Sequence, residues 1–142
     1  MAIEKQDFIQ LAQFRAAIRV FLRFSEERAR EAGLMPQQHQ LMLVIKGMPD
    51  RDWATPGEIA ESLQVHHNAA VGLVTRAEAA GLVMRTEDPD DRRRVRVSLT
   101  PHGEELLHQL SEQHKRELEH MAPVLKELLA MLQQQNETGG RV

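Results

Sequence analysis

The chain has 142 residues, of which 42% are apolar and 27% charged, with a formal net charge of −3 and no cysteine. This composition excludes wholesale disorder, and the length suits one domain with helical extensions. The lack of cysteine excludes thiol catalysis, disulfides and Cys-ligated metals. No apolar run approaches the roughly 20 residues that cross a bilayer, and no signal peptide is expected. We therefore expect a cytoplasmic protein without membrane contacts.

Residues 5–32 form the first predicted element, one long helix. Its apolar residues fall in two stripes: Phe8, Leu11, Ile18 and Leu22 in one, and Phe14, Ala17, Phe21 and Phe24 in the other. A solvent-facing helix needs only one stripe, so we expect this helix to pack on its own subunit and on a partner. The simpler alternative is that all four phenylalanines are core residues.

Gly33 ends that helix, and Pro36 begins a second helix that runs to about Lys46. Its expected buried residues are Leu41, Leu43, Val44 and Ile45. A polar loop follows and ends at Trp53, the only tryptophan. We expect Trp53 to cover the edge of the next core, with ligand stacking as the alternative.

Two short helices come next. Thr55-Pro56-Gly57-Glu58 is a capping box with proline at the first helical position, which predicts a helix start. After a turn at Gln64, a second helix is predicted from His66 or His67 to Ala80, with Gly81 as its left-handed end.

The second of these helices has two distinct sides at about 100° per residue. Its core side carries Ala70, Leu73, Val74 and Ala77, and its other side carries His67, Asn68, Val71, Gly72 and Thr75. Polar and small residues at the N-terminal end are typical of a helix that enters a DNA major groove, where Asn pairs with adenine and His donates to guanine or phosphate. Gly72 costs about 1 kcal/mol relative to alanine, which favours close approach to a groove wall or to another helix.

A hairpin follows, with residues 82–87 as one strand and residues 92–99 as the return. In the return strand, Val95, Val97 and Leu99 alternate with more polar residues, which predicts one apolar and one basic face. Three consecutive arginines at the tip are suited to a minor groove or to phosphates. Residues 76–103 carry six basic and five acidic groups, and the arginines cluster at the hairpin tip although the whole chain is acidic.

Thr100 and Pro101 predict the start of a third long helix. Apolar residues and one histidine recur along it at spacings of three and four: Leu107, Leu110, His114, Leu118, Met121, Leu125, Leu128 and Leu132. We expect a break or kink near Pro123, a last helix to about Gln135, and a flexible tail over residues 136–142. Such a seam requires a partner surface, so residues 5–32 and 101–135 are predicted to form a dimerisation layer.

The hairpin and its flanks carry a family resemblance. Gly81-Leu82-Val83, Asp88-Pro89, the Asp91-x-Arg93 pair and Val97-Ser98-Leu99-Thr100-Pro101-His102-Gly103 resemble the DNA-binding domain of the MarR family of bacterial transcriptional regulators. The resemblance implies that Arg93 enters the minor groove and that Asp91 pairs with it. Two residues depart from the family pattern: Gln64 stands where glycine is frequent, and His66 stands where Ser or Thr caps the helix.

The predicted fold is mainly α with a small β-hairpin wing: a winged helix-turn-helix over residues 36–99, with its core at 53–99, flanked by the dimerisation helices. The predicted function is sequence-specific DNA binding by a homodimeric, ligand-responsive repressor at an inverted repeat. The predicted DNA-binding residues are His66, His67, Asn68, Ala69, Val71, Gly72, Thr75, Arg76, Asp91, Arg92, Arg93 and Arg94. The alternative is a winged helix that binds another protein, because this fold does not require DNA.

Other functions receive less support. The resemblance implies a small, often aromatic and anionic effector, for which Arg15, Arg19, His39 and Trp53 are candidates, although each is more simply a solvated arginine or a core aromatic. His108, His114 and His120 are six residues apart and therefore point in different directions around a helix, so no metal site is expected. No phosphate loop or activated nucleophile is present, and we expect neither a cofactor nor an enzymatic activity.

Overall fold

The computed structural model describes residues 2–139, with side chains through residue 134. Its elements are, in chain order, α1 (Lys5–Glu31), α2 (Pro36–Lys46), β1 (Trp53–Ala54), α3 (Pro56–Leu63), α4 (His67–Ala79), β2 (Val83–Glu87), β3 (Val95–Leu99) and α5 (Pro101–Gly139). They form two compact units: a helical unit of Met1–Glu27 with Glu112–Val142, and a winged unit of Arg28–Ser111. The predicted fold class, mainly α with a small wing, is confirmed.

The helical unit is built from α1 and the later part of α5. His114, on the predicted seam, is buried, and its Nε2 lies 2.7 Å from the Ser25 hydroxyl. Its ring contacts the edges of Phe21 and Phe24 at centroid distances of 6.0 and 5.7 Å. A polar pair within an aromatic cluster therefore joins the two helices.

Many large apolar side chains of the helical unit are exposed. They are Ile3, Phe8, Ile9, Leu11, Phe14, Ile18, Val20, Leu22, Leu118, Val124, Leu129 and Leu132. The alternative in which all four phenylalanines are core residues is therefore wrong for Phe8 and Phe14. One stripe of α1 remains uncovered because a helix packed on one side buries only that side.

The expected break near Pro123 is absent, since α5 is a single helix through Gly139. Proline removes one helix hydrogen bond. Met121 and Leu125 are half-buried and Leu128 is buried, so the seam continues on both sides of the proline and favours an unbroken helix. The helix thus extends past the predicted end at Gln135, and residues 140–142 of the predicted tail lie outside the described residues.

The core of the winged unit begins with α2. Leu41 and Ile45 are buried as predicted, but Leu43 is exposed, and His39 and Met42 are buried instead. The reason is the helical period: residues three and four apart share a side, whereas Leu43 lies about 200° from both Leu41 and Ile45.

The capping box at the start of α3 is confirmed. The Thr55 hydroxyl accepts from the Glu58 backbone N–H at 3.3 Å, and the Glu58 carboxylate accepts from the Thr55 backbone N–H at 3.0 Å. Burial alone would raise the pKa of Glu58, but the hydrogen bonds that the Thr55 backbone N–H and hydroxyl donate to its carboxylate, together with the Arg51 guanidinium, lower it below its usual 4.5. At the other end Gln64 takes the left-handed conformation, φ 56°, where the family often has glycine.

Helix α4 begins with His66 as its N-cap and ends at Ala79, and Gly81 follows with φ 75°. The His66 side chain makes no capping hydrogen bond. The predicted left-handed glycine is confirmed, and the start of this helix, which the sequence left open, lies at His67. Its core side is buried as predicted, with Ala70, Leu73, Val74 and Ala77.

The sheet has three strands in the order β1-β3-β2, all antiparallel. Sequence patterning predicts only the hairpin of β2 and β3, whose register runs from Val83↔Leu99 to Glu87↔Val95. The third strand is Trp53–Ala54, which pairs with Ser98 and Val97. This strand was not predicted because a strand of two residues is too short to show an alternation of apolar and polar side chains.

The start of α5 lies close to the end of the α4–β2 turn. The Thr100 hydroxyl donates to the Gly81 carbonyl at 2.6 Å and accepts from the Gly103 backbone N–H at 3.0 Å, which confirms Thr100 as the cap. A Cβ atom at Gly103 would collide with the Leu82 carbonyl oxygen. The motif from Thr100 to Gly103 thus lets the wing and the helix approach each other.

Candidate nucleic-acid interface

The outer side of α4 is open to solvent. His66, His67, Asn68, Ala69, Thr75 and Arg76 are exposed, and Val71 and Gly72 are half-buried. These residues include all the predicted contacts of this helix. A helix with four buried residues on one side and mostly exposed residues on the other meets the geometric requirement for groove binding.

Gly72 lies beside the side chain of Arg76. The three atoms nearest to a Cβ built at this position all belong to the Arg76 guanidinium group, the first at 3.2 Å. Arg76 therefore folds back over the glycine on the same side of α4. Another helix does not approach this position closely.

The wing tip presents Arg92, Arg93 and Arg94, all exposed. The Arg93 side chain is 94% exposed, and its Nε lies 3.6 Å from Asp91 Oδ1. The same carboxylate oxygen accepts from the Arg93 backbone N–H at 3.0 Å. The Asp91–Arg93 pairing that the resemblance implies is thus present, with the guanidinium open to solvent.

Arg96 differs from the tip arginines, although it belongs to the predicted basic face of β3. Its guanidinium carbon lies 4.0 Å from the centre of the Trp53 ring, and Arg51 lies at 4.1 Å from the same ring. An Arg96 nitrogen is also 3.4 Å from Asp88 Oδ1. Arg96 therefore holds the base of the wing, and the expected role of Trp53 at the edge of the core agrees with this arrangement.

Asp88 anchors the wing turn from inside. Asp88 is only 4% exposed, and its carboxylate accepts a hydrogen bond from the Asp90 backbone N–H at 2.9 Å. That hydrogen bond, with the Arg96 guanidinium and the positive charge of Arg94, lowers the pKa of Asp88 below its usual 3.8 although burial opposes the change. The turn is thus fixed by an ionised carboxylate.

A cleft of about 410 Å³ lies between the start of α3, helix α4 and the wing. Its lining includes Thr55, His67, Val71, Arg85, Arg93 and Arg94. Four of the predicted contacts, two from α4 and two from the wing, therefore line one concave, basic surface, which suits a polyanion. The other eight predicted contacts do not line this cleft.

Arg85 was not among the predicted DNA-binding residues. Its guanidinium and backbone both bond to α4, which places it inside this surface. The only signal in the sequence was an acidic residue, Glu78, shortly before the turn at Gly81 and an arginine four residues after it.

The four predicted effector residues are divided between the two units. Arg15 and Arg19 are exposed on α1 in the helical unit. In the winged unit His39 is buried, and the guanidinium groups of Arg51 and Arg96 lie over the Trp53 ring. Effector binding by these residues stays a prediction.

The described residues contain no group of three or more His, Asp or Glu side chains that is arranged to hold a metal ion. Nor does any helix within this part of the chain have the length and apolar character to span a membrane.

Comparison with known proteins identifies the winged unit. The model of the MarR family matches residues 32–94. Over these residues, somewhat less than half of the chain, the sequence is similar to the MarR family. The regulators of that family are non-enzymatic DNA-binding proteins.

Individual relatives agree. The HTH-type transcriptional regulator FarR of Neisseria gonorrhoeae is 29% identical over 83 residues, which cover 58% of this chain and 55% of that protein. The chain spans about half the length of the curated relatives it matches.

Solved structures share the fold over almost the whole chain. AbsC, a MarR family transcriptional regulator from Streptomyces coelicolor, superposes with a TM-score of 0.75 at 19% identity and covers 97% of both chains. A mutant of S. aureus MepR bound to an oligodeoxyribonucleotide superposes with a TM-score of 0.63 at 22% identity, covering 84% of this chain and 94% of that one.

Proposed function

We propose that this chain is a transcriptional regulator that binds double-stranded DNA through α4 and the wing tip. The observation that carries the proposal is the basic cleft, in which His67 and Val71 of α4 lie beside Arg93 and Arg94 of the wing. Helix residues there suit base edges in the major groove, and an exposed wing arginine suits the adjacent minor groove. The DNA-bound MepR mutant, which has the same fold, supports the same assignment.

The regulator acts as a homodimer on an inverted repeat. Support comes from the exposed apolar residues of the helical unit, among them Phe8, Leu11, Leu118 and Leu132. So many large apolar side chains exposed to water are unfavourable, so a second copy that covers them stabilises the protein. Two winged units related by a two-fold axis would meet half-sites about 10 base pairs apart, roughly 34 Å.

Regulation follows from this geometry. Family resemblance favours repression by occupation of a promoter. A small aromatic, anionic effector that binds only one spacing of the winged units would shift the population toward that spacing and change DNA affinity by the same factor. The effect of small aromatic carboxylic acids on DNA affinity tests this part separately.

The decisive experiment selects bound DNA from a random-sequence pool with the purified full chain and follows the affinity of the winner against salt. We expect an enriched inverted repeat and a steep salt dependence, because phosphate contacts release counterions. Absence of enrichment with a shallow salt dependence would contradict DNA binding and favour the protein-interaction alternative.

A further inference from the structure

Strand β2 is an edge strand of the sheet, and one of its backbone groups is hydrogen-bonded to α4, the proposed recognition helix. β3 lies in the middle of the sheet, so β2 has one side without a strand partner. On that side the Arg85 backbone N–H donates to Glu78 Oε2 of α4 at 3.1 Å. An edge strand normally leaves such groups to water. Here a carboxylate of α4 takes the place of the missing strand.

The Arg85 side chain extends the same connection along α4. Its guanidinium donates to Glu78 Oε1 at 3.3 Å, to the Thr75 hydroxyl at 2.8 Å and to the Val71 carbonyl at 3.4 Å. Val71, Thr75 and Glu78 follow each other at spacings of four and three, so they lie on one side of the helix. We name these three residues with Arg85 the helix–wing clamp.

The chemistry of the clamp is specific to its residue types. The Thr75 hydroxyl donates to the Val71 carbonyl at 3.0 Å while it accepts from Arg85, so its single donor is used within the protein. A forked guanidinium can reach a carboxylate and a hydroxyl at once, which an ammonium group does less well. Glu78 places a negative charge on the helix that faces DNA, where it would repel phosphates. The hydrogen bonds that the Glu78 carboxylate accepts from Arg85 explain why an acidic residue stands at this position.

We infer that Arg85 is a positioning residue for DNA binding: through Glu78 and Thr75 it fixes the wing to the recognition helix, so that both meet one half-site. This inference rests on the proposed function. Rigid placement raises affinity because less conformational freedom is lost on binding.

The first test uses a sign difference. Glu78→Ala removes a negative charge from the DNA-facing helix, so charge repulsion alone predicts tighter binding. The clamp predicts weaker binding to the selected DNA, by about threefold, the effect of a small network of exposed ion pairs. The matched control is Glu87→Ala on β2, whose side chain forms no hydrogen bond or ion pair with the described residues. We expect the control to bind equally or slightly more tightly. Equal behaviour of the two variants would overturn the inference.

The second test separates positioning from general destabilisation. If Glu78 acts by placing the wing, its removal should cost little once the wing contact is already lost. Glu78→Ala should therefore weaken binding less in an Arg93→Ala background than in the wild type. The same loss in both backgrounds would overturn positioning through the wing.

The third test needs no DNA. In Glu78→Ala the Arg85 amide should exchange with deuterium about tenfold faster by NMR, because its hydrogen bond is lost. Unchanged exchange would overturn the clamp, whether or not the wild type binds DNA. A wild type that selects no DNA would instead overturn the proposed function, and the exchange rates would still decide whether Glu78 holds the wing.

Discussion

At the scale of single residues, the arginines of the wing differ in how much water they keep. The Arg93 side chain is almost fully exposed, and among the described side chains Asp91 alone forms an ion pair with it. Arg96, three residues later, is packed on Trp53 and paired with the buried Asp88. An exposed guanidinium can bind a groove or a phosphate, whereas a packed one stabilises the base of the wing.

Arg93→Ala should therefore weaken binding to the selected DNA by roughly tenfold, the loss typical of one groove-binding arginine. Its melting temperature should barely change, because the side chain packs against little. Arg96→Ala serves as the counterpart and should lower the melting temperature. Fluorescence anisotropy and calorimetry measure the two effects, and equal affinity of Arg93→Ala and wild type would contradict the wing assignment.

Asp91→Ala should produce a smaller loss of affinity than Arg93→Ala. The carboxylate bonds both the backbone and the side chain of Arg93, so its removal leaves the guanidinium undirected. The same binding assay measures it. A gain in affinity would show that removal of a negative charge outweighs the loss of orientation.

Asp88 should make stability depend on pH in the acid range. Because the pKa of Asp88 is lowered in the folded protein, the unfolded chain takes up a proton at a higher pH than the folded one. The contribution is complete above the usual pKa of 3.8 and is lost as the pH falls through the lower folded-state value. Asp88→Asn should thus melt below wild type at neutral pH, with a difference that shrinks below pH 3.8. A constant difference at all pH values would refute this origin.

At the scale of elements, the contact between the start of α5 and the α4–β2 turn requires a glycine, which has no side chain, at position 103. Thr100 bonds the Gly81 carbonyl from its hydroxyl and the Leu82 carbonyl from its backbone N–H, which brings the first turn of α5 against Leu82. Gly103 faces that carbonyl and leaves no room for a methyl group.

Gly103→Ala should lower the free energy of unfolding by about 1–3 kcal/mol, the usual cost of overpacking. Gly57→Ala is the matched control, since a Cβ there meets nothing within 4 Å. The control should be neutral or slightly stabilising, because alanine favours a helix. Chemical denaturation measures both, and equal stability of the two variants would show that the backbone yields at Gly103.

At the scale of the whole molecule, the exposed apolar residues of the helical unit set the expected assembly. Seven such residues lie on α1, from Phe8 to Leu22, and Ile3 precedes the helix. Helix α5 adds Leu118, Val124, Leu129 and Leu132. His114 and Ser25 form a polar pair within this unit, and this pair does not explain why so many apolar side chains are exposed. A second copy of the chain that covers them is the explanation proposed above.

Leu118→Glu should yield monomers or aggregates in light scattering, because a charge in an apolar interface is strongly unfavourable. Gln113→Glu provides the control: it adds the same charge at an exposed position about 140° away around the helix. A soluble dimer of Leu118→Glu would contradict the proposed interface.

The sequence by itself determined the features that depend on neighbours within one or two turns. The capping box of Thr55 and Glu58, the left-handed Gly81 and the buried side of α4 are all local signals, and each was predictable. The Asp91–Arg93 pair was accessible through the family motif. Such signals are reliable because helix periodicity and capping chemistry involve residues only a few positions apart.

Only the tertiary structure decided what depends on residues distant in sequence. The pairing of Trp53–Ala54 with β3, the packing of Arg96 on Trp53 and the bonds between Arg85 and α4 join segments whose approach no local pattern encodes. The same holds for Leu43, exposed in spite of its apolar side chain, and for Pro123, which α5 accommodates without a break. Burial and long-range contacts outweigh local preference at these positions, because they are properties of the packed chain.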